Sequence, residues 1–177
     1  MKNIIVLGGS NSKKSINKKL AIYAAEQITY ANTVIIDLNE YQMPIYGIDH
    51  EMKFGIPEEA IRCNEIIKSA DAFIVSLAEH NGSYTTAFKN TLDWLSRIDK
   101  NIWNNKPMLL LSTSPGARGA INVLNAATNY FPNLGGKIVG AFSLPLFNEN
   151  FSETDLKGNE LNSQLTQEIK FLELALQ

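Results

Sequence analysis

The sequence predicts an α/β fold, a five-stranded parallel sheet sandwiched between two layers of helices. Short β-branched apolar runs alternate with longer stretches of helical periodicity, the pattern of successive βα units. The runs are near-continuous in apolar residues rather than alternating, as in strands buried on both faces. Small, Gly- and Ser-rich loops follow the first, third and fourth runs, where a doubly wound sheet holds its ligands.

Strands are expected at residues 3–8, 32–37, 71–77, 107–113 and 137–142. Leu20, Tyr23, Ala24 and Ile28 give the first helix one apolar stripe, and Ala60, Cys63, Ile67 and Ala70 give the second another. Pro57 suits the first position of that second helix, with Glu58 and Glu59 favourable in its first turn. Phe88, Thr91, Leu92 and Leu95 mark a third helix over about 85–99, residues 124–130 a fourth, and Leu161, Leu165, Ile169, Leu172 and Leu176 a fifth. Two longer loops, 41–55 and 144–158, read as insertions, so residues 1–177 are expected to form a single domain.

Composition narrows the function. Sixteen Lys and Arg against 18 Asp and Glu leave a net charge of −2 with no basic block, which argues against a nucleic-acid or anionic-membrane partner. No segment reaches the ~18 uninterrupted apolar residues of a membrane span, and the first apolar run is too short for a secretory leader. Cys63 is the single cysteine and His50 and His80 are the two histidines, so no metal site is expected and a reducing, cytoplasmic location is.

The chemistry is expected in three loops. The first, Gly8-Gly9-Ser10-Asn11-Ser12-Lys13-Lys14-Ser15-Ile16-Asn17, runs directly into a helix; it reads either as a phosphate cradle or as a polar turn with Ser15 as N-cap. It lacks the glycines of a dinucleotide fingerprint, and Lys13 stands where a Walker A loop needs its second glycine. The second, Ala78-Glu79-His80-Asn81-Gly82-Ser83-Tyr84, offers helix-start N–H groups to a planar heterocycle, or is a turn with positive φ at Asn81-Gly82 and Ser83 as cap. A lone His80 suits packing or stacking better than catalysis, and no residue is assigned a catalytic acid–base role. The third, Ser112 to Gly119, reads as a flat wall beside a ring with Arg118 available to an anion, or as a type II turn at Pro115-Gly116 with Arg118 solvated. Trp94, Trp103, Tyr41 and Tyr46 read as core or interface residues, although the two tyrosines lie on a loop able to border a ring.

Taken together, the three loops resemble the NADPH-dependent FMN reductase family, and the similarity spans nearly the whole chain. Its first motif, G-S-x-R-x-x-S-x-N-x-x-L, is matched by Gly9, Ser10, Ser15, Asn17 and Leu20, with Ser12 in place of the arginine. The second, P-E-Y-N-G-S-Y followed by L/F-K-N-x-x-D-W, is matched by Glu79, Asn81, Gly82, Ser83, Tyr84, Phe88, Lys89, Asn90, Asp93 and Trp94, with Ala78 for the proline and His80 for the tyrosine. Ser114, Gly116 and Gly119 follow the third, with Ala120 at its final glycine.

The resemblance implies a flavodoxin-like three-layer sandwich that binds FMN, its phosphate in the first loop and its ring between the second and third. The implied cofactor-binding set is Gly9, Ser10, Ser12, Ser15, Ile16, Asn17, Ala78, Glu79, His80, Asn81, Gly82, Ser83, Ser114, Pro115, Gly116 and Arg118. It further implies an NAD(P)H oxidoreductase, with NADPH or NADH as hydride donor and a small-molecule electron acceptor such as a quinone, flavin, azo dye, nitroaromatic or metal oxyanion. A homodimer or tetramer is implied as well. The competing readings are a flavodoxin-like electron carrier that does not oxidise NAD(P)H, and a flavin-free scaffold. Nucleotide and acceptor are expected to share one broad opening at different times.

Overall fold

The computed structural model describes residues 1–152 and 154–177. Its main strands are β1 (Lys2–Gly9), β2 (Ala31–Ile36), β3 (Ala72–Leu77), β6 (Pro107–Thr113) and β7 (Lys137–Leu144), and a small hairpin adds β4 (Glu79–His80) and β5 (Ser83–Tyr84). The helices are α1 (Ile16–Glu26), α2 (Ile48–Phe54), α3 (Glu58–Lys68), α4 (Thr86–Ile98), α5 (Ile121–Tyr130), α6 (Phe147–Asn150) and α7 (Asn159–Leu176).

The five main strands pair in parallel in the order β2-β1-β3-β6-β7. In order of the main strands this is 2-1-3-4-5, the flavodoxin-like winding, and its direction reverses between β1 and β3. Alternate residues of the central strands face opposite layers. Ile4 and Val6 join the core under α1 and α7, with Leu20, Ala24, Leu165 and Ile169. Ile5 and Leu7 join the core under α3, α4 and α5, with Ile67, Phe88 and Leu124. This is the three-layer sandwich the sequence implies.

Four details differ from the expectation. β2 is not buried on both faces: it is a sheet edge, and Asn32, Thr33 and Ile35 are exposed. Pro57 caps α3 with an extended backbone (φ −60°, ψ 144°) instead of opening its first turn, and Ala70 and Ile28 are buried just beyond the ends of α3 and α1. The 41–55 loop contains α2, which buries none of its residues and so leaves no core stripe in the sequence. The 144–158 segment, of which Glu153 lies outside the described residues, is anchored by α6, by a bridge between Phe151 and Leu156, and by Phe151 packing edge-on to Tyr23 at 5.3 Å.

Candidate functional site

The first loop is built by close approach and by serines. A Cβ on Gly8 would lie 2.7 Å from the backbone of Lys18, so glycine there lets α1 press against the end of β1. The Ser10 hydroxyl accepts from the Ser12 N–H (3.1 Å), and the Ser12 hydroxyl accepts from the Lys14 N–H (3.3 Å). Ser15 caps α1 by accepting from the Lys18 N–H at 3.1 Å. Each hydroxyl keeps its proton to donate, and the N–H groups of Ile16 and Asn17 have no intrahelical partner. The N-cap reading and the cradle reading therefore describe the same turn.

Asn17 does a different job from the one its motif position suggests. Its side chain is buried and committed to the framework: the amide donates to the Thr113 carbonyl (3.0 Å), while its oxygen accepts from the Ser76 hydroxyl (2.7 Å) and the Thr113 N–H (3.0 Å). One side chain thus pins α1 to the ends of β3 and β6. Only its backbone N–H is left for an anion.

The second loop is a hairpin, and this corrects the expected helix entry. Asn81 (φ 52°) and Gly82 (φ 77°) occupy the two central positions between His80 and Ser83, the left-handed pair that suits a two-residue hairpin. Ser83 lies in β5, and the cap of α4 is Thr85, which accepts from the Phe88 N–H (3.2 Å) and donates to the Gly9 carbonyl (2.8 Å). The N–H groups at 81–83 are therefore hairpin groups and not a helix start. His80 is exposed on the hairpin and is not a packed core residue.

Glu79 stands at the cleft but commits its carboxylate to the neighbouring helix. Its carboxylate accepts from the Val123 N–H (3.0 Å) and the Asn122 amide (3.2 Å), which places it at the positive end of α5. The Asn122 oxygen in turn accepts from the Arg118 guanidinium at 2.7 Å. Arg118 is exposed and spends one of its guanidinium N–H groups on this contact. It closes a chain, Arg118 to Asn122 to Glu79, that ties the third loop to the second. Asn122 has no motif signal, because its position on the first turn of α5 matters only once the loops are folded together.

In the third loop Gly116 does not take the positive φ of a type II turn. The left-handed residues are Gly119 (φ 56°) and Ala120 (φ 62°). A Cβ on Gly119 would run into the Ser143 hydroxyl, and the Gly119 carbonyl accepts from Ser112 and Ser143. Ala120, at the family's final glycine, is held in the same left-handed region as the N-cap of α5.

These loops enclose a cleft of about 220 Å³ at the carboxyl ends of β1, β3 and β6. Of the sixteen expected residues, Ser10, Ser12, Ser15, Ile16, Asn17, Ala78, Glu79, His80, Ser114 and Pro115 line it; Lys14 and Thr113 are added. Gly9, Asn81, Gly82, Ser83, Gly116 and Arg118 stand outside its lining. A second cleft of about 450 Å³ lies on the other side of His80, between the 38–45 segment and the start of α4. It is lined by Asn11, Asn39, Tyr41, Gln42, Met43, Ile45 and Asn90 among others, and among the described residues by no Asp, Glu, Lys or Arg. The two clefts meet at one exposed residue, His80.

The Lys89-to-Trp94 part of the second motif is a latch for this second cleft. Asn90 accepts from the Tyr46 N–H (2.8 Å) and donates to the carbonyls of Pro44 (3.0 Å) and Met43 (3.3 Å). The indole N–H of Trp94 donates to Pro44 at 2.7 Å, and Tyr46 packs edge-on to the same indole at 5.0 Å. Trp94 and Trp103 are core, as expected, and Tyr41 is buried with the Arg62 guanidinium 5.4 Å from its ring centre.

Burial opposes the charge on Asp37, at the end of β2, but hydrogen bonds from Lys18 and from the Asn39 backbone and side chain prevail and hold its carboxyl below the ordinary range. Burial pushes the Cys63 thiol up to about 12, which makes it an inert core residue at neutral pH. Among the described residues no group of three His, Cys, Asp or Glu is placed to hold a metal, and no helix is long and apolar enough to cross a membrane.

The family model for NADPH-dependent FMN reductases matches residues 2–149. The chain belongs to that family. A quinone reductase of Pseudomonas putida is 31% identical over 125 residues, covering 70% of this chain and 66% of the relative. An NADPH azoreductase of a Bacillus species is 27% identical over 124 residues, covering 70% of this chain and 65% of the relative. The matched stretch thus spans just under two thirds of these two relatives. Among solved structures, the flavoenzyme NAD(P)H:(acceptor) oxidoreductase FerB from Paracoccus denitrificans superposes with a TM-score of 0.77, covering 99% of both chains at 24% identity, which establishes the shared fold.

Proposed function

We propose that residues 1–177 act as one FMN-binding unit, an FMN-dependent NAD(P)H oxidoreductase that passes electrons from a nicotinamide to a small acceptor. The observation that carries the reading is the cleft at the ends of β1, β3 and β6, where unpartnered N–H groups at the start of α1 and three serine hydroxyls converge. That donor set fits a terminal phosphate monoester. Ala78, His80, Ser114 and Pro115 would flank the ring, and the hairpin N–H groups at 81–83 would lie near its edge. When bound, FMN supplies a carrier able to take up hydride and release electrons singly or in pairs.

The chain's own part is positional. Ser10, Ser12, Ser15 and the N–H groups of Ile16 and Asn17 would bind the phosphate. The Asn17 framework and the Arg118–Asn122–Glu79 chain would hold the two ring-flanking loops at fixed spacing, so that reacting partners meet without reorganisation. Hydride transfer itself needs no general acid or base from the protein.

The larger cleft beside His80 is proposed as the acceptor side. Its neutral, amide-rich wall favours an uncharged planar acceptor, a quinone above all, over a metal oxyanion or a sulfonated azo dye. We further propose a homodimer or tetramer in the cytoplasm. In support, α2 and the residues before it expose Ile45, Ile48, Met52 and Phe54 at 78, 55, 80 and 65%, an apolar patch that runs to the lip of the acceptor cleft.

The test is steady-state NADPH and NADH oxidation by the FMN-loaded protein with neutral quinones, sulfonated azo dyes and chromate as acceptors. The reading expects nucleotide oxidation, with the neutral quinones giving the highest kcat/KM. Bound FMN that no nucleotide reduces would make the protein an electron carrier instead.

A further inference from the structure

The family's first motif carries an arginine where this chain has Ser12, which leaves the cradle without the cation that the motif supplies. We propose that Lys14 takes over that charge and is the residue by which this chain discriminates a phosphorylated flavin from an unphosphorylated one. The inference rests on the FMN reading above.

Three observations support it. Among the described residues Lys14 is the one Lys or Arg that lines the smaller cleft, and the acid there, Glu79, has its carboxylate turned to α5. Lys18, the next basic residue on α1 after the cradle, is tied to Asp37 at 2.6 Å. The replacement residue also builds the new arrangement: the Ser12 carbonyl accepts from the Ser15 N–H (3.1 Å), closing a turn with Lys13 and Lys14 at its centre, while the Ser12 hydroxyl accepts from the Lys14 N–H. Adjacent turn residues diverge, so Lys14 lines the cleft and Lys13 does not.

The chemistry differs from that of an arginine. A lysine ammonium is a compact point charge on a flexible stem, and lacks the planar fork that grips two phosphate oxygens at once. Its contribution is attraction to a dianion, and salt screens that attraction because Lys14 is exposed.

Titrating the apo-protein with FMN and with riboflavin, by quenching of flavin fluorescence at low and high salt, tests this. Lys14→Met should raise the Kd for FMN about fivefold at low salt, roughly 1 kcal/mol. It should leave the Kd for riboflavin unchanged and flatten the salt dependence for FMN. Lys14→Arg should stay within about twofold of the parent, and Lys13→Met should bind FMN like the parent. An unchanged FMN Kd in Lys14→Met, equal losses in the Lys13 and Lys14 variants, or a matching loss for riboflavin would overturn the assignment while leaving the cofactor reading standing. A parent protein that binds FMN no better than riboflavin would overturn both.

Discussion

The two clefts that meet at His80 are held by different means. The smaller one is fixed from inside: the buried Asn17 side chain makes three hydrogen bonds to β3 and β6, and Thr85 ties α4 to the end of β1. The larger one is fixed from outside, because its wall over residues 41–47 hangs on Asn90 and Trp94, and the helix that follows it buries nothing. Buried polar networks specify one geometry at high cost if broken, whereas half-exposed latches let a segment open at low cost. On the proposed assignment, the cofactor side is the rigid one and the acceptor side the adjustable one.

Breaking the inner network should have the largest effect. Asn17→Ala leaves the Ser76 hydroxyl and both main-chain groups of Thr113 without their partner in the core, for a loss of about 3 kcal/mol or more in urea unfolding followed by tryptophan fluorescence. FMN affinity should fall with it, because α1 is no longer pinned to the strand ends. A variant with parental stability would show that the network is not what sets the cleft.

Asn90→Ala should separate the two regions. Freeing the 43–46 main chain is expected to cost about 1–2 kcal/mol and to raise the KM for the acceptor several-fold, with the Kd for FMN within about twofold of the parent. An FMN loss as large as that in Asn17→Ala would mean that the clefts are not independent.

Ala120→Gly sharpens the picture at the third loop. A non-glycine residue in the left-handed region costs about 1–2 kcal/mol, offset in part by the about 0.5–1 kcal/mol of extra chain entropy that glycine loses. Loss of the buried Ala120 methyl takes back about 0.8 kcal/mol more, so the variant should stay within about 1 kcal/mol of the parent, read as the urea midpoint at constant m.

The smallest effect concerns pH. Asp37 has a lowered pKa in the folded protein, so its contribution is present above the unfolded carboxylate value near ~4 and is lost as pH falls through the lower folded value. Lys18→Met should flatten the stability profile in that acid window and leave its shape near neutrality unchanged.

The legible parts of the sequence were those whose cause is local or repetitive. β1, β3 and β6 lie inside the sheet, so their apolar runs are uninterrupted, and α4 carries a clear stripe of Phe88, Thr91, Leu92 and Leu95. The edge strand β2 shares the run but not the burial, because edge position is a property of topology. The β4–β5 hairpin carries a true signal in Asn81-Gly82, whose expected positive φ is borne out, but strands only two residues long leave no run to separate a hairpin from a helix entry. For the candidate site, motif position located the loops, and ten of the sixteen residues line the cleft. The directions of Glu79 and Asn17 are not legible, since each is set by a partner at a distant sequence position, and that of Arg118 depends on Asn122, four residues on, which carries no motif signal.

Anaerobic titration of the purified protein with FMN, followed by addition of NADPH and then NADH to the complex, tests the central claim most directly. The account predicts one FMN per chain, weaker binding of FAD, and bleaching of the bound flavin by at least one of the two nucleotides, reversed when a quinone is added. A protein that takes up no FMN, or an FMN complex that neither nucleotide bleaches, would contradict it.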